Sequence, residues 1–375
     1  MKILLVSEFF PKGKNLNFSG GVETRTFFIA KYLAKKNKVS IICSRQKGTK
    51  KFEKMFNFSV YRVGPERKYN ATVGSFPDRI KFMREAIKIG RSFDVDIIDG
   101  GNFIAHFIAK MIANYKKIPV VAWYPDVWVG SWFKNAGIRG IFGEILERIN
   151  LIFNFDAYIA ISKTTAQKLK KRVNKKINII PCGVDEQEFK VPIKKFPQPT
   201  IICISRLTRY KNLKTLIFAF AHLTIQVKRA RLIIIGEGPE YNNLKNLVKN
   251  LRISLKVKFA SNLKRKDLIK LIKQSHIFSL SSLVEGFGIS TLEAASAGIP
   301  YVISDIAVHR EITYGAKGGF LVGPQEPSVF SKRFYELFSD KLLYSKKSKQ
   351  AKELAKNYDW NTITRSTEKV YLSLI

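Results

Sequence analysis

Two glutamates at the end of a predicted buried strand are the residues in this sequence best suited to chemistry. The run "HIFSLSSLV" is typical of a buried strand, and the stretch "EGFGISTLEAASAGIP" that follows it begins at Glu285. A helix is predicted to begin near Ile289, so Glu293 lies about one turn inside it, roughly 12 Å from Glu285 if all eight steps were helical. Because carboxylate oxygens accept hydrogen bonds from vicinal hydroxyls, such a pair could grip a sugar joined to a nucleotide at both ends.

The residues between the two glutamates favour a binding loop. Gly286 and Gly288 flank Phe287 and would allow backbone amides to approach a ligand closely. A simpler interpretation is that a helix N-terminus favours acidic residues because of its dipole. That interpretation accounts for one glutamate and leaves the glycines around Phe287 unexplained.

Three further strand-to-helix junctions carry residues suited to anion binding. Glycine pairs let the backbone approach an anion, and two cations before a helix N-terminus could hold a diphosphate. Each junction alone is also compatible with an ordinary turn or with solvated charges. The residues concerned are Gly20 and Gly21, Arg206 and Lys211, and Gly236 and Gly238.

The elements that must position these residues alternate along the chain. Short continuous apolar runs are followed by amphipathic stretches, which is typical of parallel sheets covered by helices on both faces. The alternation stops over residues 186–199, which we interpret as a linker, and then resumes. We therefore predict an α/β protein with two Rossmann-like doubly wound domains, 1–190 and 195–355, facing a central cleft. Residues 356–375 are predicted to form a C-terminal helix that returns to the N-terminal domain.

Composition narrows the function classes. The chain has 66 Lys and Arg against 29 Asp and Glu, a net charge of +37, which attracts nucleic acid, anionic lipid or phosphorylated substrates. The alternative is a generally lysine-rich solvated surface. No apolar stretch is long enough to span a bilayer, no export signal is evident, and the three cysteines indicate reduced thiols in a cytoplasm. No Cys or His cluster has the spacing of metal ligands, and stacking aromatics interleaved with basic stripes are not found, so no nucleic acid partner is expected.

Several short motifs together resemble one family. "GGVE", "AISKTT", "IIPCGVD", "SRLTRYKN", "EGFGISTLE" and "YDWNTI" occur in the order and at the separations typical of retaining glycosyltransferases of family 4, which have the GT-B fold. The resemblance covers nearly the whole chain. Each motif is moderately specific alone, and the set is strong.

The resemblance implies roles for individual residues. The C-terminal domain would bind a nucleotide-diphosphate sugar and the N-terminal domain an acceptor. No metal or other cofactor is implied, because basic side chains and a helix dipole neutralise the leaving diphosphate. The implied positions are Arg206 and Lys211 on the diphosphate, Glu293 on the ribose, Glu285 on the donor sugar, Gly236 and Gly286, Phe287, Gly288 and Ile289 in donor-binding loops, and Gly20 and Gly21 near the phosphates and acceptor.

The sequence departs from the family on the acceptor side. A histidine is often found at the end of the strand that here is "VVAWYPDVW", where this chain has Pro125 and Asp126. We therefore predict Asp126 as the polar group beside the acceptor and count it, with Glu285, as catalytic. A turn or helix-cap role is the alternative for Asp126.

We expect a hexosyltransferase that acts on a glycan or lipid-linked acceptor in cell-surface polysaccharide or glycolipid synthesis. The basic amphipathic helix "PDRIKFMREAIKIGRSF" has Ile80, Met83 and Ile87 on one side and could rest on an anionic membrane surface, or could simply cover the sheet. The rivals are a nucleotide-sugar epimerase or hydrolase on the same fold, and a basic polyanion-binding protein.

Overall fold

The chain folds into two compact units in a computed structural model that describes residues 1–13, 16, 18, 20–67, 76–133 and 137–375. Unit 1 comprises Met1–Cys182 and Trp360–Ile375, and unit 2 comprises Gly183–Asp359. Two sequence-distant segments therefore build unit 1, while unit 2 is continuous.

Unit 1 is built on an eight-stranded sheet with the order β3-β4-β2-β1-β5-β6-β7-β8. The strands are β1 (Lys2–Val6), β2 (Lys38–Gln46), β3 (Phe52–Met55), β4 (Phe58–Arg67), β5 (Ile97–Gly100), β6 (Val120–Tyr124), β7 (Ala157–Ala160) and β8 (Ile177–Ile179). The described helices before residue 182 are α1 (Gly21–Leu33), α2 (Phe76–Arg91), α3 (Phe103–Lys116), α4 (Gly140–Ile152) and α5 (Lys163–Lys170).

One edge of this sheet departs from the predicted all-parallel pattern. β3 pairs antiparallel with β4, whereas β4 pairs parallel with β2. Two residues, Phe56 and Asn57, connect β3 to β4, and both have positive φ, as a tight hairpin turn requires. Because antiparallel strands can be joined by a two-residue turn, β3 and β4 need no helix between them.

Unit 2 is built on a six-stranded parallel sheet with the order β11-β10-β9-β12-β13-β14. The strands are β9 (Thr200–Ile204), β10 (Arg231–Ile235), β11 (Val257–Ala260), β12 (Ile277–Leu280), β13 (Tyr301–Ser304) and β14 (Gly319–Val322). The helices are α6 (Leu213–Gln226), α7 (Tyr241–Asn250), α8 (Arg265–Gln274), α9 (Ile289–Ser296), α10 (Ala307–Ile312), α11 (Pro327–Ser339) and α12 (Lys341–Lys356). The strand order reverses between β9 and β12, which makes their carboxyl ends the topological switch point of the sheet.

The last helix, α13 (Trp360–Leu372), belongs to unit 1. The Trp360 ring is stacked on Phe28 of α1 with a centroid distance of 5.2 Å and an interplanar angle of 9°. Near the end of α13, the Tyr371 hydroxyl donates to Asp99, which also forms a buried ion pair with Arg25 at 2.7 Å. A stacked ring and a buried polar cluster thus hold the C-terminal helix on the first segment of the chain.

The predicted linker is part of unit 2. Glu186–Phe189 forms a 3-10 turn in which Phe189 is buried, and Glu188 pairs with Arg265 at 2.6 Å. Further along, the Phe196 amide donates to the Gln274 carbonyl at 2.9 Å. The boundary between the units therefore lies after Cys182, before the linker that we predicted over residues 186–199 from its prolines and charges.

Helix α2 covers the sheet with its apolar side. Met83 is buried in the core of unit 1, and Ile80 and Ile87 are packed against that core. These three residues are therefore engaged in packing, which agrees with the alternative in which the helix simply covers the sheet. None of the helices in the described ranges is long and apolar enough to cross a membrane.

Candidate active site

The predicted donor-side residues converge at the switch point of unit 2. Arg206 and Lys211 lie in the loop that follows β9, and Glu285 lies in the loop that follows β12. Because β9 and β12 are adjacent parallel strands, the two loops begin side by side at the carboxyl ends of these strands. The sequence separation of the two loops gives no hint of this proximity.

Lys211 and Glu285 form a buried ion pair at the centre of the site. Lys211 Nζ lies 2.5 Å from Glu285 Oε1, and the two side chains are 9% and 11% exposed. The Ser282 hydroxyl donates to the same carboxylate oxygen at 3.0 Å. Burial alone would raise the pKa of Glu285, but the Lys211 ammonium and the hydrogen bonds from Lys211 and Ser282 together hold it below its usual value. Glu285 is therefore an anion at neutral pH.

Backbone and side-chain hydrogen bonds fix the two loops to each other. The Leu283 amide donates to the Tyr210 carbonyl at 2.8 Å, and the Ser281 hydroxyl donates to the Asn212 carbonyl at 2.8 Å. The Lys211 ammonium also lies 5.4 Å from the centroid of the Tyr210 ring. The cation and the carboxylate thus lie on two loops that are hydrogen-bonded to each other.

Arg206 approaches the same aromatic ring. Its guanidinium carbon lies 5.8 Å from the Tyr210 centroid, and the side chain is partly exposed. Within the described ranges it takes part in no ion pair with a carboxylate. Its charge is therefore available to an anion.

Glycines allow the β10 loop to lie directly against the β9 loop. Gly236 has φ +149°, and a Cβ there would lie 1.9 Å from the Ser205 carbonyl oxygen. Gly238 has φ +159°, and a Cβ there would lie 2.3 Å from the Leu207 carbonyl oxygen. Both positions therefore require glycine because of conformation and close approach.

The loop before α9 combines a buried anchor with a left-handed turn. The Phe287 ring is buried and lies edge-on to Tyr358 at 5.9 Å. Gly288 has φ +103° and is the N-cap of α9. The first backbone amides of that helix, starting at Ile289, therefore follow directly after this turn. Helix N-terminal amides without intrahelical acceptors are suited to bind anions.

His309 is a buried neighbour of this loop. Its Nδ1 lies 2.7 Å from the Ser304 carbonyl oxygen, so Nδ1 carries the proton and Nε2 is an acceptor in the neutral ring. Nε2 has no hydrogen-bond partner among the described atoms and lies 3.6 Å from where a Cβ on Gly288 would be. Burial lowers the pKa of His309, although Glu285 opposes this, so the ring is neutral at pH 7.

Glu293 has a different environment from Glu285. It lies inside α9, is buried, and pairs with Arg265 of α8. The same guanidinium binds Glu188, so one cation serves two carboxylates. Arg265 thus orients Glu293.

The remaining predicted residues lie in unit 1. Gly20 and Gly21 open α1, with the Thr24 amide donating to the Gly20 carbonyl at 3.1 Å, while residues 14, 15, 17 and 19 of the preceding loop lie outside the described ranges. Asp126 follows β6 and is buried. Its Oδ1 accepts from Lys168 at 2.7 Å and its Oδ2 from the Trp128 indole at 2.9 Å. These contacts organise the loop after β6.

Arg206, Lys211, Glu285 and the loops of Gly236 and Gly288 thus all lie at the carboxyl ends of the strands of unit 2. The sequence analysis did not count Ser282, Arg265 or His309 among the site residues. A histidine inside an apolar stretch after a strand is the one available signal for His309. No signal in the sequence indicates that Arg265 meets Glu293.

Comparisons with known proteins identify the family. The model of the family "Glycosyl transferases group 1" matches residues 165–357, and that of "Glycosyltransferase Family 4" matches residues 19–188. A human component of phosphatidylinositol N-acetylglucosaminyltransferase is 26% identical over 388 residues, covering 98% of this chain and 75% of that protein.

Solved structures show the same fold. Sucrose-phosphate synthase from Thermosynechococcus elongatus has a TM-score of 0.85 at 17% identity, covering 100% of this chain and 98% of that one. HepE from Anabaena, in complex with UDP-glucose, has a TM-score of 0.77 at 18% identity over 100% of both chains. The predicted fold class, two Rossmann-like α/β domains of the GT-B type, and the resemblance to family 4 are confirmed.

Proposed function

Because the chain belongs to the glycosyl transferases group 1 family, we propose that this glycosyltransferase moves a hexosyl group from a nucleotide-diphosphate sugar to a glycan or lipid-linked acceptor, with retention at the anomeric carbon. The observation that carries the proposal is the buried Lys211–Glu285 pair at the switch point of unit 2. A cation and a carboxylate held together there suit a ligand with an anionic end and a hydroxylated end.

The diphosphate would be bound by Arg206, Lys211 and the first amides of α9. The two side chains supply full positive charges, and the amides supply directional donors. As the bond to the sugar breaks, negative charge grows on the leaving diphosphate, and these fixed groups stabilise it. No metal ion is needed for this step.

The donor sugar would be bound by Glu285 and His309. Lys211 and Ser282 both contact Oε1 of Glu285, so we assign Oε2 to the sugar hydroxyls. His309 Nε2 would accept a further hydroxyl hydrogen bond. Glu293, oriented by Arg265, would accept from the ribose hydroxyls.

The acceptor would react on the face from which the diphosphate leaves. Its hydroxyl oxygen forms the new bond to the anomeric carbon while the old carbon–oxygen bond breaks and its electron pair stays with the phosphate oxygen. That oxygen takes the proton of the acceptor hydroxyl, so no histidine is required as a base. Gly20, Gly21 and Asp126 are the residues of unit 1 that we propose beside the acceptor.

The similarity to HepE with bound UDP-glucose supports a UDP-linked hexose as donor. The human relative named for phosphatidylinositol supports a lipid-linked acceptor. We therefore propose a role in cell-surface glycan or glycolipid synthesis in the cytoplasm, at the inner membrane face.

A donor screen tests the proposal. Thermal shift of the purified chain against a panel of nucleotide sugars should give one clear responder, and nuclear magnetic resonance of the product should show an α-linkage. Product formed without acceptor would instead indicate hydrolysis, and an isomerised donor would indicate epimerisation. Tight RNA binding that survives Glu285→Gln, with no response to any nucleotide sugar, would refute the proposal in favour of a polyanion-binding protein.

A further inference from the structure

Helix α4 in unit 1 carries an apolar stripe that faces solvent. Its isoleucines at positions 141, 145, 149 and 152 are 50%, 53%, 36% and 83% exposed. At 100° per residue their side chains fall within an arc of about 80°, and they span about 17 Å along the helix. Scattered exposed apolar residues are ordinary, but a continuous stripe of this length marks an interaction surface.

The opposite face of α4 is fastened firmly to unit 1. The Asn150 amide donates to the Phe103 carbonyl at 2.7 Å, and Glu147 accepts from the Trp132 indole at 2.5 Å. The Trp132 ring lies so close to Gly143 that a Cβ there would be 2.5 Å from it. The stripe therefore belongs to a rigid helix that is anchored on its other side.

A helix that carries exposed cations contacts α4. The Phe142 ring of α4 lies edge-on to Phe76, at the start of α2, at 4.7 Å. The outer face of α2 exposes Lys81, Arg84, Lys88 and Arg91 at helical spacing, with Glu85 as the exposed acid among them. On α4 itself, Arg148 pairs with Glu144 at 2.7 Å beside the stripe.

We propose that α4 lies flat on an anionic lipid bilayer, with its four stripe isoleucines inserted among the acyl chains and the outer face of α2 above the headgroups. Apolar side chains beside a cationic surface are the combination that binds such an interface. A second copy is a poorer occupant, because two chains of charge +37 repel each other. The inference rests on the proposed function, since it would bring the enzyme to a lipid-linked acceptor.

Vesicle flotation tests the stripe. The chain should bind vesicles containing phosphatidylglycerol much better than pure phosphatidylcholine vesicles. The double variant Ile145→Ser/Ile149→Ser removes apolar surface without adding charge, and should weaken binding roughly tenfold. Leu255→Ser is the matched control, since Leu255 is a 95% exposed leucine of unit 2 outside any such stripe, and should bind like the wild type. UDP-induced thermal shifts should be equal in all three proteins, which shows that they are folded.

Site-specific fluorescence adds a second readout. Cys43, Cys182 and Cys203 are all buried, so a new surface cysteine can be labelled selectively. An environment-sensitive dye on Ile149→Cys should shift to shorter wavelength on anionic vesicles, and the same dye on Leu255→Cys should not.

Three outcomes separate the possibilities. Unchanged vesicle binding by the double variant would overturn the inference. So would a wild-type dimer in sedimentation velocity that the double variant converts to monomer, because the stripe would then be a self-association surface. Stripe-dependent vesicle binding without any response to nucleotide sugars would support the membrane surface and refute the proposed function instead.

Discussion

Replacing Glu285 by glutamine should weaken transfer while strengthening the binding of UDP alone. In the resting protein the Lys211 ammonium is neutralised by Glu285 at 2.5 Å. Glutamine keeps the shape and can still accept the Ser282 hydrogen bond, but it leaves the buried ammonium without a counter-charge. A diphosphate would then be the available counter-ion.

The magnitude of the stability loss follows from the geometry of the pair. At an effective dielectric constant of about 20, two unit charges 2.5 Å apart attract by about 7 kcal/mol, most of which desolvation offsets. Removing one partner of a buried pair costs about 3–5 kcal/mol in the free energy of unfolding. Because both side chains are about one-tenth exposed, we expect about 3 kcal/mol. For a domain the size of unit 2, this lowers the melting temperature by about 6–12 °C.

Calorimetry and product assays measure the two effects. The apo variant should melt lower than the wild type, and UDP should raise its melting temperature more than that of the wild type. Transfer should fall about 100-fold, because the carboxylate that orients the donor sugar is gone. Asp305→Asn is the matched control: its partner Arg310 also lies at 2.5 Å, but the side chains of Arg310 and Asp305 are 62% and 32% exposed, so the cost should be below about 1 kcal/mol.

The reasoning fails if Glu285→Gln melts like the wild type, or if it loses UDP binding together with activity. The first result would mean that the ion pair is not a buried constraint in solution. The second would mean that Glu285 supports the phosphate site instead of neutralising its lysine.

Three further predictions concern other parts of the chain. Burial raises the pKa of Glu147 from 4.5 to about 7. Between pH 4.5 and about 7 the folded chain therefore holds a proton that the unfolded chain has released, so the free energy of unfolding falls as pH rises. Glu147→Gln should remove this pH dependence in urea unfolding measured at several pH values. Tyr371→Phe deletes the buried hydrogen bond to Asp99 and should cost about 1–3 kcal/mol in urea unfolding, and an unchanged midpoint would contradict the assigned contact. Gly236→Ala places a Cβ against the Ser205 carbonyl and should reduce the UDP-induced thermal shift, whereas a full shift would show that the two loops can separate.

Much of the fold is predictable from the chain because buried parallel strands leave a plain pattern. Runs such as "TIICI" and "RLIII" are continuous and apolar, and the structure makes them the neighbouring strands β9 and β10. The hairpin strand β4 and the edge strand β14 are harder to recognise. β14 (Gly319–Val322) begins with a glycine, a residue depleted in strands, so its apolar run does not stand out from the turn before it.

The donor side of the site is predictable in part. The predicted strands and glycines place Arg206, Lys211 and Glu285 just after the carboxyl ends of strands. That β9 and β12 are neighbours depends on the strand order of the sheet, which no local pattern in the sequence indicates. The pairing of Arg265 with Glu293 is a long-range contact of the same kind.

The exposed stripe on α4 could not be predicted either. "GIFGEILERINLIFN" has apolar residues around much of the helix, and such a helix is usually interpreted as buried. Which side packs against the rest of unit 1 is decided by Gly143 and Asn150, whose partners Trp132 and Phe103 lie on other elements.

The return of α13 to unit 1 sets an order of events during synthesis. Asp99 and its partner Tyr371 are 272 residues apart, so a ribosome makes all of unit 2 before the hydroxyl that Asp99 binds exists. Until then the Arg25–Asp99 ion pair lacks the Tyr371 hydroxyl, and the Phe28 ring lacks the Trp360 ring that stacks on it. Unit 2 can therefore complete its folding before unit 1, although unit 1 begins to emerge first.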